Sequence, residues 1–330
     1  MEYVLLAAAF AVILAGALLF TNAIEWTGNK LGVGEGATGS VLAAVGTAMP
    51  ETLIPIVAII GGAEGSEDVA IGAIIGAPFL LATIAMALVG ISALAFKGRR
   101  EQGTELRAHV ETLDRDLIFF LIFFAAGIAM GLVVPEDLHL PLAVVFIAAY
   151  AIYVRQTLRG GGDVQEEGTI GPLYMDRTPG DNPPGIAVGI QLVVGLGAIV
   201  GGAHLFVEEL LIVAEQIGIE PLVLSLVLAP LATELPEKAN SFFWVKDGKD
   251  SLALGNITGA MVFQSTIPIA VGLALTDWDL DKFATISGVL GLVGGAVAYW
   301  ALRLRGRFEL FPILIWAGLF VAFIVYVAAA

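Results

Sequence analysis

The sequence predicts an all-α polytopic membrane protein of about ten transmembrane helices in two inverted five-helix repeats. Three observations carry this. Of the 330 residues, 58% are hydrophobic and 14% charged, where a soluble domain carries about 25% charged residues. Apolar runs long enough to cross a bilayer recur between polar breaks along the whole chain. The two halves match each other in order around a central polar stretch.

Composition also excludes several chemistries. There is no cysteine, which removes disulfide frameworks and thiolate metal sites. The three histidines, His109, His139 and His204, are scattered, which argues against an imidazole zinc site. The formal net charge of -15 is the wrong sign for a nucleic-acid partner, and the acidic residues collect in the loops as a solvated surface. Met1 to Phe20 lacks a basic leader, and its apolar run continues to Ile24. It reads as a first span rather than a signal peptide.

A helix needs about 20 apolar residues to cross the hydrocarbon core. The candidates are 3–26, 31–61, 68–96, 116–134, 139–158, 185–213, 221–245, 251–275, 283–302 and 309–329. The second is long and contains a Thr-Ala-Met-Pro step, so a break is expected in it. Lys and Arg set the orientation. With the N-terminus outside, all the basic residues except Lys238 and Lys282 fall in inward connections. The outward loops are acidic, with Glu64, Glu67 and Asp68, Glu136 and Asp137, and Asp277, Asp279 and Asp281. Both termini are therefore expected outside an inner (plasma) membrane.

The stretch from Gly160 to Pro184 is rich in Gly, Pro, Asp and Glu and reads as a flexible cytoplasmic linker. It divides the chain into 1–159, the linker 160–184, and 185–330, with five spans on each side. An odd number per half forces the halves into opposite orientations. Shifted by 186 residues, LGVGEGATGSVLAAVGTAMPE (31–51) lies over IGIEPLVLSLVLAPLATELPE (217–237). Thr47 then pairs with Thr233, Pro50 with Pro236 and Glu51 with Glu237. Shifted by 183, AIGAIIGA (70–77) lies over ALGNITGA (253–260). Inverted repeats are a signature of secondary transporters, whose site lies at the midplane where the repeats meet.

Glu51 and Glu237 each follow a proline inside an apolar span. A carboxylate at that depth costs several kcal/mol on insertion scales and is a functional candidate by default. Each proline removes an N–H and unseats the carbonyl four residues earlier, that of Gly46 or Ala232, beside Thr47 or Thr233. Each repeat thus offers a carboxylate, a hydroxyl and carbonyls, hard oxygen donors suited to calcium and sodium. The alternative is that both glutamates only hold helices together. Glu234, three residues before Glu237, shares its helix face and reads either as a third ligand or as a protonated acid bonded to a neighbour. Lys238 is expected to snorkel to the inner interface. Gln264 and, less centrally, Asn256 are oxygen donors from a neighbouring span. His204, Glu208 and Glu209, nearer a span end, are expected to face solvent or cap a helix, as are Glu25 and Glu35.

At these residues the chain resembles the calcium/cation antiporter superfamily, in its sodium/calcium exchanger branch. That family carries a G-T-S-x-P-E core and a later G-N-x-x-G-S-N-x-x-N/D segment in each repeat. The cores here read GTAMPE (46–51) and ATELPE (232–237), and the later segments IGAIIGAPFLL (71–81) and LGNITGAMVFQ (254–264). The resemblance implies Glu51 and Glu237 as shared calcium ligands with backbone help at Thr47 and Thr233, and sliding of spans one and six against a fixed core. The family's core serines are Ala48 and Glu234 here, its later serines Ala77 and Ala260, and its final Asn/Asp positions Leu81 and Gln264. Much of the sodium-binding hydroxyl set is therefore replaced. The implied function is antiport of Ca2+ against Na+, with Ca2+ against H+ as the alternative. No resident cofactor is expected; the ligands are the transported cations, and the partners are inorganic cations and the lipid bilayer, with no obligatory protein partner. A passive channel would build its filter from symmetric subunits. An intramembrane metalloprotease would want H-E-x-x-H, which is absent; no enzymatic activity is expected.

Overall fold

The computed structural model describes residues 1–31, 48–108, 110–159, 171–176, 182–305 and 308–329, without the side chains of Leu158, Leu235, Pro236, Glu237, Ala239 and Leu304. Its elements are helical: α1 (Glu2–Lys30), α2 (Met49–Gly61), α3 (Ser66–Leu80), α4 (Met86–Ala95), α5 (Val110–Val133), α6 (His139–Arg159), α7 (Gly185–Ile217), α8 (Pro221–Lys246), α9 (Asp250–Gln264), α10 (Ile267–Leu275), α11 (Lys282–Arg305) and α12 (Leu310–Ala329). Eight helical stretches among the described residues are long and apolar enough to cross a bilayer, with Met49–Gly61 and Pro221–Glu234 as shorter apolar helices. Only helices and closed barrels satisfy their own backbone in lipid. This is an all-helical membrane protein, and its helix order is consistent with inverted repeats.

Burial separates core from periphery. The apolar windows of Ser66–Ala95 and Asp250–Leu275 are 83% and 67% buried, whereas the other long spans reach 22–44%. A helix apolar on all sides belongs inside the bundle, and these two carry the matched segments 70–77 and 253–260. Both also lose regular α-geometry at matched positions. In the first, a π-helical turn runs from Leu81 to Ala85 after Pro78; in the second, α9 ends at Gln264 and α10 starts at Ile267. Such interruptions are common at functional sites.

Close packing rests on glycine. A methyl at Gly72 would fall on the Leu222 carbonyl oxygen, and one at Gly76 on that of Leu226. α3 thus lies with its backbone against α8, and Ser225 Oγ donates to Val69 O at 2.6 Å. α1 and α7 pack along most of their length in the same way. A methyl at Gly16 would come within 2.8 Å of Ile199 N, and one at Gly195 within 2.7 Å of Phe20 N.

One expectation lies largely outside the described residues and another changes. The break in the second span is visible only as the start of α2 at Met49, because 32–47 lie outside the described residues. Residues 171–176 do not hang free: Leu173 is buried with Ala23, Trp26 and Val188. Trp26 Nε1 donates to Gly171 O at 3.0 Å and Met175 N to Gln191 Oε1 at 2.8 Å. Gln191 Nε2 in turn donates to Leu19 O and to Asn22 Oδ1, each at 2.9 Å. A buried amide needs partners, and this segment supplies them across α1 and α7.

Candidate functional site

Glu51 lies in the first turn of α2, directly after Pro50. Proline is accepted there because its missing N–H would be unsatisfied anyway, and an anion near a helix N-terminus is favoured by the helix dipole. The position buries the carboxylate, which is 6% exposed. A narrow cleft joins Glu51 to Ala73 and Ala77 of α3 and to Ala229, Pro230 and Thr233 of α8. The structure therefore brings Glu51 and Thr233, one from each repeat, to the same cleft. Thr233 Oγ1 donates to Ala229 O at 3.3 Å, which leaves its oxygen lone pairs as acceptors.

The next residue along α8 opens a second buried polar cluster. Glu234 is 1% exposed; Gln264 Nε2 donates to its Oε1, and Lys238 Nζ lies 3.0 Å from its Oε2. Gln264 Oε1 is buried without a hydrogen-bond partner among the described residues, an acceptor placed where α9 ends. Glu234 and Gln264 are thus brought together, and both oxygens of Glu234 face donors, an amide N–H and an ammonium. Thr47 and the side chain of Glu237 lie outside the described residues. Pro236 does not interrupt its helix, since α8 continues through it to Lys246.

Lys238 does not snorkel. It is 2% exposed, because it stands one turn after Glu234 and the nearer end of α8 is eight residues away, about 12 Å along the axis, out of a lysine's reach. Glu209 is buried at 7% exposure rather than facing solvent, while His204 and Glu208 are exposed and 3.3 Å apart. Asn256 Nδ2 donates to Ser241 Oγ at 3.2 Å and joins α9 to α8. Sequence reasoning missed Asp116, buried on α5, which accepts from Tyr153 Oη at 2.8 Å and Thr258 Oγ1 at 2.9 Å and pairs with Arg115 at 3.0 Å. With those partners it ties α5, α6 and α9 together. The signal that could have found the Lys238 pair is its i, i+4 spacing from Glu234.

The site offers carboxylate, hydroxyl and amide oxygens in a buried setting, donors for hard cations. The chain is 25% identical over 307 residues to the sodium/calcium exchanger MaX1 of Methanosarcina acetivorans, covering 83% of this chain and 82% of that one. Its fold matches a crystal structure of the H+/Ca2+ exchanger CAX with a TM-score of 0.76 at 20% identity, over 98% of this chain and 81% of the other. It matches the sodium-calcium exchanger NCX_Mj with a TM-score of 0.60 at 19% identity, over 98% and 99%. The profile of the sodium/calcium exchanger protein family covers residues 1–158 and 188–329. The chain belongs to the sodium/calcium exchanger protein family.

Proposed function

We propose that this membrane cation antiporter exchanges Ca2+ for Na+ by alternating access at a midplane site. The ligands are Glu51 and Glu237 with Thr47 and Thr233, assisted by Glu234 and Gln264. The observation that carries the reading is that Glu51 and Thr233, from opposite repeats, line one buried cleft. The name and family of MaX1 support the sodium arm. The proton arm draws on Ala77, which lines that cleft where the family carries a serine hydroxyl. Halves 1–159 and 185–330 flank an inward linker 160–184, and both termini face outward, a reading supported by the Lys and Arg asymmetry.

The test is calcium flux into proteoliposomes driven by an outward sodium gradient and, separately, by an outward proton gradient. A sodium-driven flux is expected; a flux driven by protons alone would overturn the sodium reading in favour of proton coupling. Ala77→Ser puts a hydroxyl back into the cleft. A hydrogen-bond-sized gain of about 0.5–1.5 kcal/mol should lower the half-saturating sodium concentration by roughly two- to tenfold. A sodium titration unchanged in a folded Ala77→Ser protein would reject the account of the missing hydroxyl.

A further inference from the structure

Lys238 places a buried positive charge against Glu234, beside the proposed ligands. Its ammonium sits 3.0 Å from Glu234 Oε2, and the two side chains are 2% and 1% exposed. Gln264 Nε2 holds the other Glu234 oxygen, so both carboxylate oxygens are engaged from within the chain. Burying a lysine and a glutamate together costs each its hydration, and such a pair contributes little net stability compared with apolar residues of the same size. A role in packing alone leaves unexplained why a lysine stands beside Glu237 at the matched Pro-Glu step. The charges give an account. By sequence the proposed set Glu51, Glu234 and Glu237 holds three carboxylates, and adding Lys238 leaves two net negative charges, the balance of one divalent or two monovalent ions.

Resting on the reading of these glutamates as a cation site, we propose that the Lys238 ammonium is a tethered cation. It permanently fills a monovalent-ion position at Glu234, so the exchanger binds one coupling ion fewer than its carboxylates would otherwise hold. The assistance of Glu234 is then indirect: it sets the local charge and orients Gln264, while the transported ion goes to the other ligands. The i, i+4 spacing on one helix keeps the ammonium at that carboxylate whichever way the cavity opens. Both groups ride on the same rigid element.

The test replaces the ammonium with an apolar side chain of similar length. In Lys238→Met, Glu234 loses its resident cation and sodium should enter. The purified variant should show a Tm that rises with NaCl against a choline chloride control, more steeply than wild type. Its sodium-driven calcium exchange should show a Hill coefficient raised by about one. The charge-balanced Glu234→Gln/Lys238→Met variant should lose that added sodium response, which mere loosening of packing would not reverse. A Lys238→Met protein whose Tm and Hill coefficient follow sodium as wild type does would overturn the proposal. Should Lys238→Met be too unstable in choline chloride, rescue by NaCl supports the tethered cation. Collapse in both salts, with the double variant folded, overturns it. Calcium binding measured by calorimetry on Glu51→Gln is read separately: retained binding there refutes the cation site itself, whereas lost binding with no sodium effect at Lys238 refutes only the tether.

Discussion

Glu51→Gln is expected to cut calcium flux by about 100-fold or more while the protein stays folded. Glutamine keeps the shape of the side chain and a carbonyl oxygen, so the cleft formed with Ala73, Ala77, Ala229 and Thr233 keeps its walls. The charge is lost. Removing one partner of a desolvated charge interaction costs about 2–5 kcal/mol, and every 1.4 kcal/mol is tenfold in affinity. Glu51 also stands in the first turn of α2, where the helix dipole attracts negative charge, so glutamine forfeits that attraction as well. Transport by reconstituted protein, with Tm as the control for folding, measures both halves of the prediction. A folded variant with undiminished calcium flux would remove Glu51 from the ligand set, and with it the reading of a site shared between the repeats.

The residues that were legible in the sequence are those whose role is written in backbone chemistry. Pro50 and Glu51 mark a helix start because proline lacks a donor and is accepted in a first turn. Such signals are local and survive without knowledge of the partner. Lys238, Asp116 and Glu209 were placed wrongly or overlooked for a different reason. Spans bounded by charge come out too short. α5 begins at Val110 and α7 runs to Ile217, so Asp116 and Glu209 lie inside helices that hydropathy would end near them. What then decides burial is which face meets a neighbour. Asp116 turns toward Tyr153 and Thr258, residues distant in sequence. Lys238 is the sharper case, because its length suggests an escape to the interface that its depth in α8 denies.

Asp250→Ala is expected to lower stability by about 3–5 kcal/mol, the cost of leaving a buried partner charge uncompensated. The pair joins the segment after α4 to the first turn of α9. Arg100 Nη1 and Nη2 meet the two Asp250 oxygens at 2.7 and 2.9 Å, with both side chains fully buried. Arg100 also donates to the carbonyls of Val245, Gly103 and Glu105, and Asp250 accepts from Arg107 N at 2.9 Å. The bidentate fork is rigid, so a lysine at position 100 would not replace it. Removing Asp250 strands a guanidinium among carbonyls that do not neutralise it, and Tm in detergent should fall by about 5–10 °C. Arg100→Met/Asp250→Leu should recover most of that loss, because an apolar pair of similar volume avoids the desolvation of both charges. A double variant as unstable as the single would mean that the hydrogen bonds, rather than the charge pair, hold this junction. The consequence reaches the site. α9 starts at Asp250 and ends at Gln264, so the clamp that anchors one end of the helix fixes the register at which its other end meets Glu234. Asp250→Ala should therefore weaken calcium transport even at temperatures where the protein remains folded.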